Sequence, residues 1–278
     1  MNLPKLPLDR WVERAEDWLG YSFAPLFDAI RTVIGELVSA LEFVLREPAP
    51  WILIVLLAAL AWLVAGWRIG VFALIGLLLI DNLGYWDHAM QTLALVLTAA
   101  LLSIVLGVPL GILCARSAGL RSAITPVLDF MQTMPAFVYL LPAISFFSLG
   151  VVPGVIASVI FAIPPTIRLT NLGIRQVPEE LVEAADAFGS TPGQKLYKLQ
   201  LPLALPTIMA GINQTIMLSL SMVVIASMIG AQGVGADVYR AVTQTRTGVG
   251  FEAGIAIVIL AILLDRVTQR LVRSAKST

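Results

Sequence analysis

Charge is scarce in this sequence. Of 278 residues, 13% are Asp, Glu, Lys or Arg and 58% are hydrophobic, where ordinary soluble domains carry about a quarter charged residues. A soluble chain of this size could not hide that much apolar surface in one core, whereas a bilayer accepts it as exterior. The 18 basic and 18 acidic residues cancel, so no net field draws nucleic acid or an acidic substrate. The single cysteine, Cys114, excludes an intrachain disulfide, and its apolar surroundings predict a small buried side chain. The single histidine, His88, leaves no metal-ligand cluster, and its place at the end of an apolar run predicts a solvated interfacial position. A phosphate-cradling GxxxxGK[ST] loop is missing, as is any evident nucleophile–base pair, so no enzymatic chemistry is expected of this chain. The first strong apolar run begins near Trp51, too far along for a cleavable leader.

What is abundant is long apolar text. A hydrocarbon core about 30 Å thick needs about 20 helical residues. Runs that meet or approach this length are Trp51–Gly66, Ile69–Ile80, Ala89–Ala115, Pro126–Leu149, Val151–Thr170, Leu203–Gly230 and Phe251–Leu264. Read as one helix, Trp51 to Ile80 would run about 45 Å, so two spans with a tight turn at Arg68 are expected, and seven in all. With the N-terminus outside, the inner segments hold Arg68, Arg116, Arg121, Arg168, Arg175, Lys195, Lys198, Arg266, Arg270, Arg273 and Lys276. The outer loops between spans hold only Arg240 and Arg246, and this asymmetry predicts the N-terminus outside and the C-terminus in the cytosol. Asp81, Asp87, Asp129, Glu252 and Asp265 are all expected near span ends. Ahead of the spans, Tyr21–Leu45 repeats apolar residues at helical spacing around Asp28, Arg31, Glu36 and Glu42, which predicts a helix lying in the outer lipid interface or against the bundle. Residues 1–20, rich in proline and charge, are expected to be an extension that orders at best on contact.

One long polar segment interrupts the core. Pro178 with Glu179 and Glu180 marks a helix start, placing carboxylates at the positive end of the helix dipole. Gly189 stops that helix. Thr191-Pro192-Gly193-Gln194 has the form of a capping box, so a second helix is expected from Pro192 to about Gln200, ended by Pro202. A short helix held at an angle by a glycine corner suits the groove of a cytosolic partner. An ordinary loop with two short helices fits the same residues.

Glu183-Ala184-Ala185, three residues, Gly189, nine residues and Leu199-Gln200-Leu201-Pro202 resemble the EAA motif of ATP-binding-cassette importer permeases. Leu199 stands where that family usually has isoleucine. The stretches Met131–Leu140, Pro164–Thr170 and Pro206–Thr215 resemble permeases for glycine betaine, proline betaine and choline. The likeness runs from about Leu83 to Gln269. It implies an all-α integral membrane protein with the type I importer transmembrane fold. It also implies a homodimer in the inner membrane, seated on two ATP-binding subunits and fed by an external substrate-binding protein. No cofactor is then expected in this chain, and ATP with its magnesium belongs to the partner. Glu183, Ala184, Ala185 and Gly189 would form the coupling element, with Ser190, Thr191, Pro192, Gly193, Gln194 and Lys195 as the contact. The chain divides accordingly into a 1–50 extension, two spans in 51–82, an importer core over 83–270 with its coupling segment at 171–202, and a cytosolic tail at 271–278.

A quaternary ammonium has no proton to donate, and aromatic faces suit it through cation–π attraction. Phe137, Tyr139, Phe146, Phe147 and Phe161 are in-span aromatics, of which Phe137 and Tyr139 are the candidates for the pathway. Gln214, Met217, Ser221 and Met228 fall on one helical stripe flanked by Asn213. Such a stripe fits a wet, weakly binding passage, and helix–helix contact explains it as well. The rival reading is an ion-coupled secondary transporter of small amines or osmolytes, which calls for mid-span ionisable residues and often an internal repeat.

Overall fold

The structure, a computed structural model, describes residues 7–274. Thirteen α-helices follow one another: α1 (Leu8–Ser22), α2 (Ala24–Arg46), α3 (Pro50–Ala65), α4 (Trp67–Asn82), α5 (Trp86–Arg116), α6 (Ala118–Thr133), α7 (Leu140–Phe147), α8 (Val151–Arg175), α9 (Glu179–Ala187), α10 (Pro192–Lys195), α11 (Leu201–Ser227), α12 (Val234–Thr243) and α13 (Thr247–Ser274). The labelling positions considered below, near Pro4 and Ser277, and Lys276 lie outside the described residues, as does the side chain of Arg273. The tail expected from 271 begins as a continuation of α13.

The centre is a packed triplet of α5, α8 and α11. Small residues let the backbones close up, as they do where lipid removes any hydrophobic drive between helices. A Cβ on Gly111 of α5 would lie 2.5 Å from Thr170 Cβ and 2.8 Å from the Ile167 carbonyl oxygen of α8. Across the other seam, Thr215 Oγ donates to the Ala162 carbonyl at 2.8 Å and lies 2.7 Å from Thr166 Oγ, so buried hydroxyls satisfy one another. The apolar stripe of α2 docks on this triplet: Ile34 and Val38 are buried with Leu95, Val96, Val155, Ile216 and Leu220. The expected amphipathic helix therefore exists, starting at Ala24 in place of Tyr21, and lies against the bundle.

Several expectations change. Residues 8–22 are helical rather than a loose extension, and α1 is followed by an aromatic anchor, with Phe27 stacked on Phe146 at 4.6 Å and edge-on to Phe147 at 5.5 Å. The turn between the first two apolar runs falls at Gly66, whose φ of 92° needs glycine, not at Arg68. The resulting hairpin of two 16-residue helices, each about 24 Å long, packs its alanines Ala58, Ala61 and Ala73 around Leu263 of α13. The straight span expected over Pro126–Leu149 is broken. Met134 before Pro135 is extended at ψ 139°, as a residue preceding proline must be, and the chain turns by 111° between α6 and α7. Pro202 does not end a helix. A π-turn at Leu196–Gln200 widens the backbone just ahead of it, and helix continues without interruption from Pro192 to Ser227. Four helices (α5, α8, this long run and α13) are each long and apolar enough to cross a membrane, and the bent pairs α2–α3 and α6–α7 raise the number to six. The seven expected runs thus become four unbroken apolar helices, one bent pair, and the short α3–α4 hairpin.

At the end of the bundle away from the polar segment between α8 and α11, α12 is pinned rather than floating. The Val234 backbone N–H donates to Thr92 Oγ at 2.9 Å. His88, expected to be solvated, meets the buried Asp237 carboxylate through Nδ1 at 2.5 Å, and Arg240 donates to the same carboxylate at 3.0 Å. Tyr85 donates to the Val249 carbonyl at 3.4 Å. Burial, reinforced by the negative charges of Asp237 and Glu252, pushes its phenol above the ordinary range and keeps it a neutral donor.

Candidate functional site

The polar segment between α8 and α11 forms the corner that its residues prescribe. α9 opens after Pro178 with Glu179 and Glu180 in its first turn and buries no side chain. It ends at Gly189, whose φ of 74° is left-handed. The corner is closed by Ser190 N–H to the Ala185 carbonyl at 3.0 Å and Gly189 N–H to the Asp186 carbonyl at 2.9 Å. α10 then starts with a complete capping box: Gln194 N–H donates to Thr191 Oγ at 3.3 Å, and Thr191 N–H donates to Gln194 Oε at 2.9 Å. Glu183, Ala184, Gly189, Thr191, Pro192, Gly193 and Gln194 are all exposed, while Ala185, Ser190 and Lys195 are half-buried.

Two features of this corner escaped the sequence. Lys195 Nζ grips both carboxylate oxygens of Asp186 at 2.7 Å, strapping α10 to α9. Phe188, 91% exposed, presents a bare ring beside the turn. An apolar ring held in water by a rigid corner is a ready anchor for a partner's pocket.

The candidate pathway residues separate. Gln214 and Ser221 are exposed on α11 and Met217 is half-exposed, so the stripe stays open on this chain, with Met228 at its outer end. Ser221 donates to the Met217 carbonyl at 3.1 Å. Phe137 is 54% exposed. Tyr139 is 5% exposed, its hydroxyl bonded to the Met131 carbonyl and its ring edge-on to Phe161, which is a packing position.

Asp129, Arg168 and Asp265 pair in ways no local pattern predicts. Arg168 Nη donates to Asp129 Oδ at 2.6 Å between α8 and α6. Asn213 of α11 donates to Asp265 of α13 at 2.9 Å, and Gln269, one turn further along α13, donates to the same carboxylate at 2.7 Å. Asp129, Arg168 and Asp265 are therefore helix-to-helix ties. The signal was available, since Asp129 and Arg168 each sit inside an apolar run. Among the described residues no group of three His, Cys, Asp or Glu could hold a metal ion.

Comparison with known proteins places this geometry. Residues 107–277 match the family described as the inner membrane component of binding-protein-dependent transport systems. The chain belongs to that family. This permease is 58% identical over 276 residues to the glycine betaine transport system permease protein OpuAB of Bacillus subtilis, covering 99% of this chain and 98% of that one. It is 57% identical to the glycine betaine/carnitine transport permease protein GbuB of Listeria monocytogenes over 99% of both. With the glycine betaine/proline betaine transport system permease protein ProW of Escherichia coli it shares 50% identity over 98% of this chain and 77% of that one. Its fold is similar to a chain of the MetNI methionine ABC transporter, solved in inward-facing conformations, with a TM-score of 0.62 and 24% identity over 66% of this chain and 93% of that one. The permease is thus a multi-pass inner-membrane subunit of an ABC importer, a system that implies an ATP-binding subunit and a substrate-binding protein. The ion-coupled secondary transporter is set aside by this membership.

Proposed function

We propose that this permease carries glycine betaine, or its near relatives proline betaine and choline, inward from an external binding protein. It works as a homodimer on two ATP-binding subunits. The observation that carries the substrate class is the 58% identity to a glycine betaine permease along almost the whole of both chains. The exposed corner supports the rest. Glu183, Ala184, Ala185 and Gly189 form its frame, and Ser190 to Lys195 with Phe188 form the docking surface. ATP and magnesium are bound by the partner, and none is held in this chain. The Gln214, Met217 and Ser221 stripe lines the passage, with Phe137 at its edge, facing the second copy across a wet seam. The N-terminus lies outside and the C-terminus in the cytosol, since Arg68, Arg116, Arg121, Arg175, Lys195, Lys198, Arg266 and Arg270 all fall at the same end of the up-and-down helix order.

The test is uptake. Co-expressed with its ATP-binding and binding-protein partners in a host lacking osmolyte uptake, the permease should confer ATP-dependent accumulation of labelled glycine betaine. Accumulation of an unrelated solute, with no quaternary amine imported, would overturn the assignment. In a Cys114→Ser background, a cysteine placed near Pro4 should react with an impermeant thiol reagent on intact cells and one near Ser277 should not. The opposite pattern would invert the orientation.

A further inference from the structure

We infer that Asp129 and Arg168 form a binding station for the zwitterion in the inner part of the passage. The substrate's carboxylate is taken by Arg168 and its quaternary ammonium faces Asp129. The inference rests on the quaternary-amine reading above and narrows it from amines in general to those that carry their own carboxylate.

The first argument is exposure. The pair joins two apolar helices, yet the side chains of Arg168 and Asp129 are 38% and 58% exposed on this chain. Charges in a membrane segment do not face hydrocarbon. They turn toward a bundle interior or a water-filled cavity and mark pathways.

The second argument is direction. α8 turns Ile163, Thr166, Ile167 and Thr170 to Gly107 and Gly111 of α5, and Pro165, Thr166 and Leu169 to Gly211 of α11. At 100° per residue, Arg168 is left on the side facing away from α5. On α11, Ile216, Leu220 and Val223 are buried with α5 residues and Met217 packs at the edge of that cluster, which leaves the exposed Gln214 and Ser221 on the side away from α5. α8 and α11 are antiparallel neighbours packed on the same third helix, so the sides they turn away from it coincide. Arg168 on α8 and Gln214 on α11 therefore face the same side of the α8–α11 pair.

The third argument is unused capacity. A guanidinium has five donors in a rigid fork that fits a carboxylate. Arg168 gives one bond to Asp129, and its Nε is out of contact with solvent and has no partner. A substrate carboxylate on that fork would satisfy Nε. A quaternary ammonium asks for no hydrogen bond, only for negative charge, and Asp129 supplies it. Insertion is then an exchange: the protein pair opens as each charge takes the opposite charge of the substrate, and no charge is left bare in the membrane. Because the exchange nearly balances, affinity is low and the substrate can leave. Choline, lacking a carboxylate, would occupy Asp129 and leave Arg168 unpaired.

The experiment uses the permease with its ATP-binding subunits in nanodiscs, without binding protein, and reads ligand contact by saturation-transfer NMR. Glycine betaine should bind at about millimolar strength, and choline about tenfold or more weaker, the factor expected for one charged hydrogen-bond set. The neutral double variant Asp129→Asn/Arg168→Gln, which leaves no unpaired charge, should lose betaine binding by a similar factor. In the complete system it should slow betaine uptake, with the binding protein's own affinity unchanged. Arg168→Lys keeps a charge pair but loses the fork, so it should assemble fully and still bind betaine more weakly than wild type. Normal betaine binding in the double variant or in Arg168→Lys, or choline binding equal to betaine, overturns the station. Failure of the wild-type complete system to import any quaternary amine overturns the functional reading instead, so the two failures are told apart.

Discussion

Gly189 offers the sharpest test of the corner, because its surroundings isolate a single cause. A Cβ built there meets nothing within 4 Å, while φ is +74°. Substitution therefore creates no collision, and its whole cost is backbone strain. For an L residue in the left-handed region that cost is about 1–2 kcal/mol, less for Asn, whose short polar side chain tolerates it, and most for a β-branched residue. If only the folded corner is competent to dock, apparent affinity falls with the competent fraction. Such a penalty lowers that fraction by a factor of about 5–30 once the folded corner ceases to dominate. The expected order of affinity for the ATP-binding subunit is Gly, then Asn, then Ala, then Val. Asn should fall within about twofold of wild type and Val at the far end of the range. Membrane insertion, followed by size-exclusion chromatography of the tagged permease, should be unchanged. Titration of purified ATP-binding subunit onto permease in nanodiscs measures the order. If Ala and Val bind like Gly, the left-handed conformation at 189 does not govern docking; if Asn is as damaging as Val, side-chain size at the interface governs it instead.

Other expectations are more local. Gly111→Ala forces a Cβ to within 2.8 Å of the Ile167 carbonyl oxygen, which cannot swing aside, so thermal unfolding should occur earlier by an amount matching about 1–3 kcal/mol of overpacking. Thr92→Val removes the acceptor for the buried Val234 N–H and should cost about 1–3 kcal/mol in the same assay, while Thr92→Ser should be mild. Single charge removal at Asp186 or Lys195 should lower uptake per ATP hydrolysed by about two- to fivefold, the scale of an exposed ion pair, and the exchange Asp186→Lys with Lys195→Asp should restore it. Gln214→Leu and Ser221→Leu should each slow uptake in proteoliposomes without altering which amine the binding protein selects; unchanged rates would remove the stripe from the passage.

The corner was legible because its determinants are local. A proline, two glutamates, a glycine and a capping box act within a dozen residues, and the structure forms each as written. The amphipathic α2 was legible for the same reason. Elsewhere the misreadings share a cause. Pro202 reads as a stop only if the turn before it is a regular α-turn, and the π-turn at Leu196–Gln200 removes that premise. Met134-Pro135 carried a break signal that the apolar length of Pro126–Leu149 overrode. α1 has no apolar run of its own, and the Phe27–Phe146 stack near its end joins residues 119 positions apart. The Asp129–Arg168, His88–Asp237 and Asn213–Asp265 ties span 39, 149 and 52 positions. Which charge meets which is decided by helix packing, and no local pattern encodes it.

The unbroken helix from Pro192 to Ser227 has a mechanical consequence. Its 36 residues make a rod about 54 Å long, with the cytosolic corner fixed to one end and the loop that abuts Gly150 at the other. A rod of that length converts angle into distance: a tilt of about 5° about its inner end carries the outer end sideways by about 5 Å, the width of a small solute. The soft π-turn lies within the first ten residues, where a pivot would have to be. A push too small to unseat the corner can therefore shift the far end by a solute's width, with no part of the rod needing to unfold.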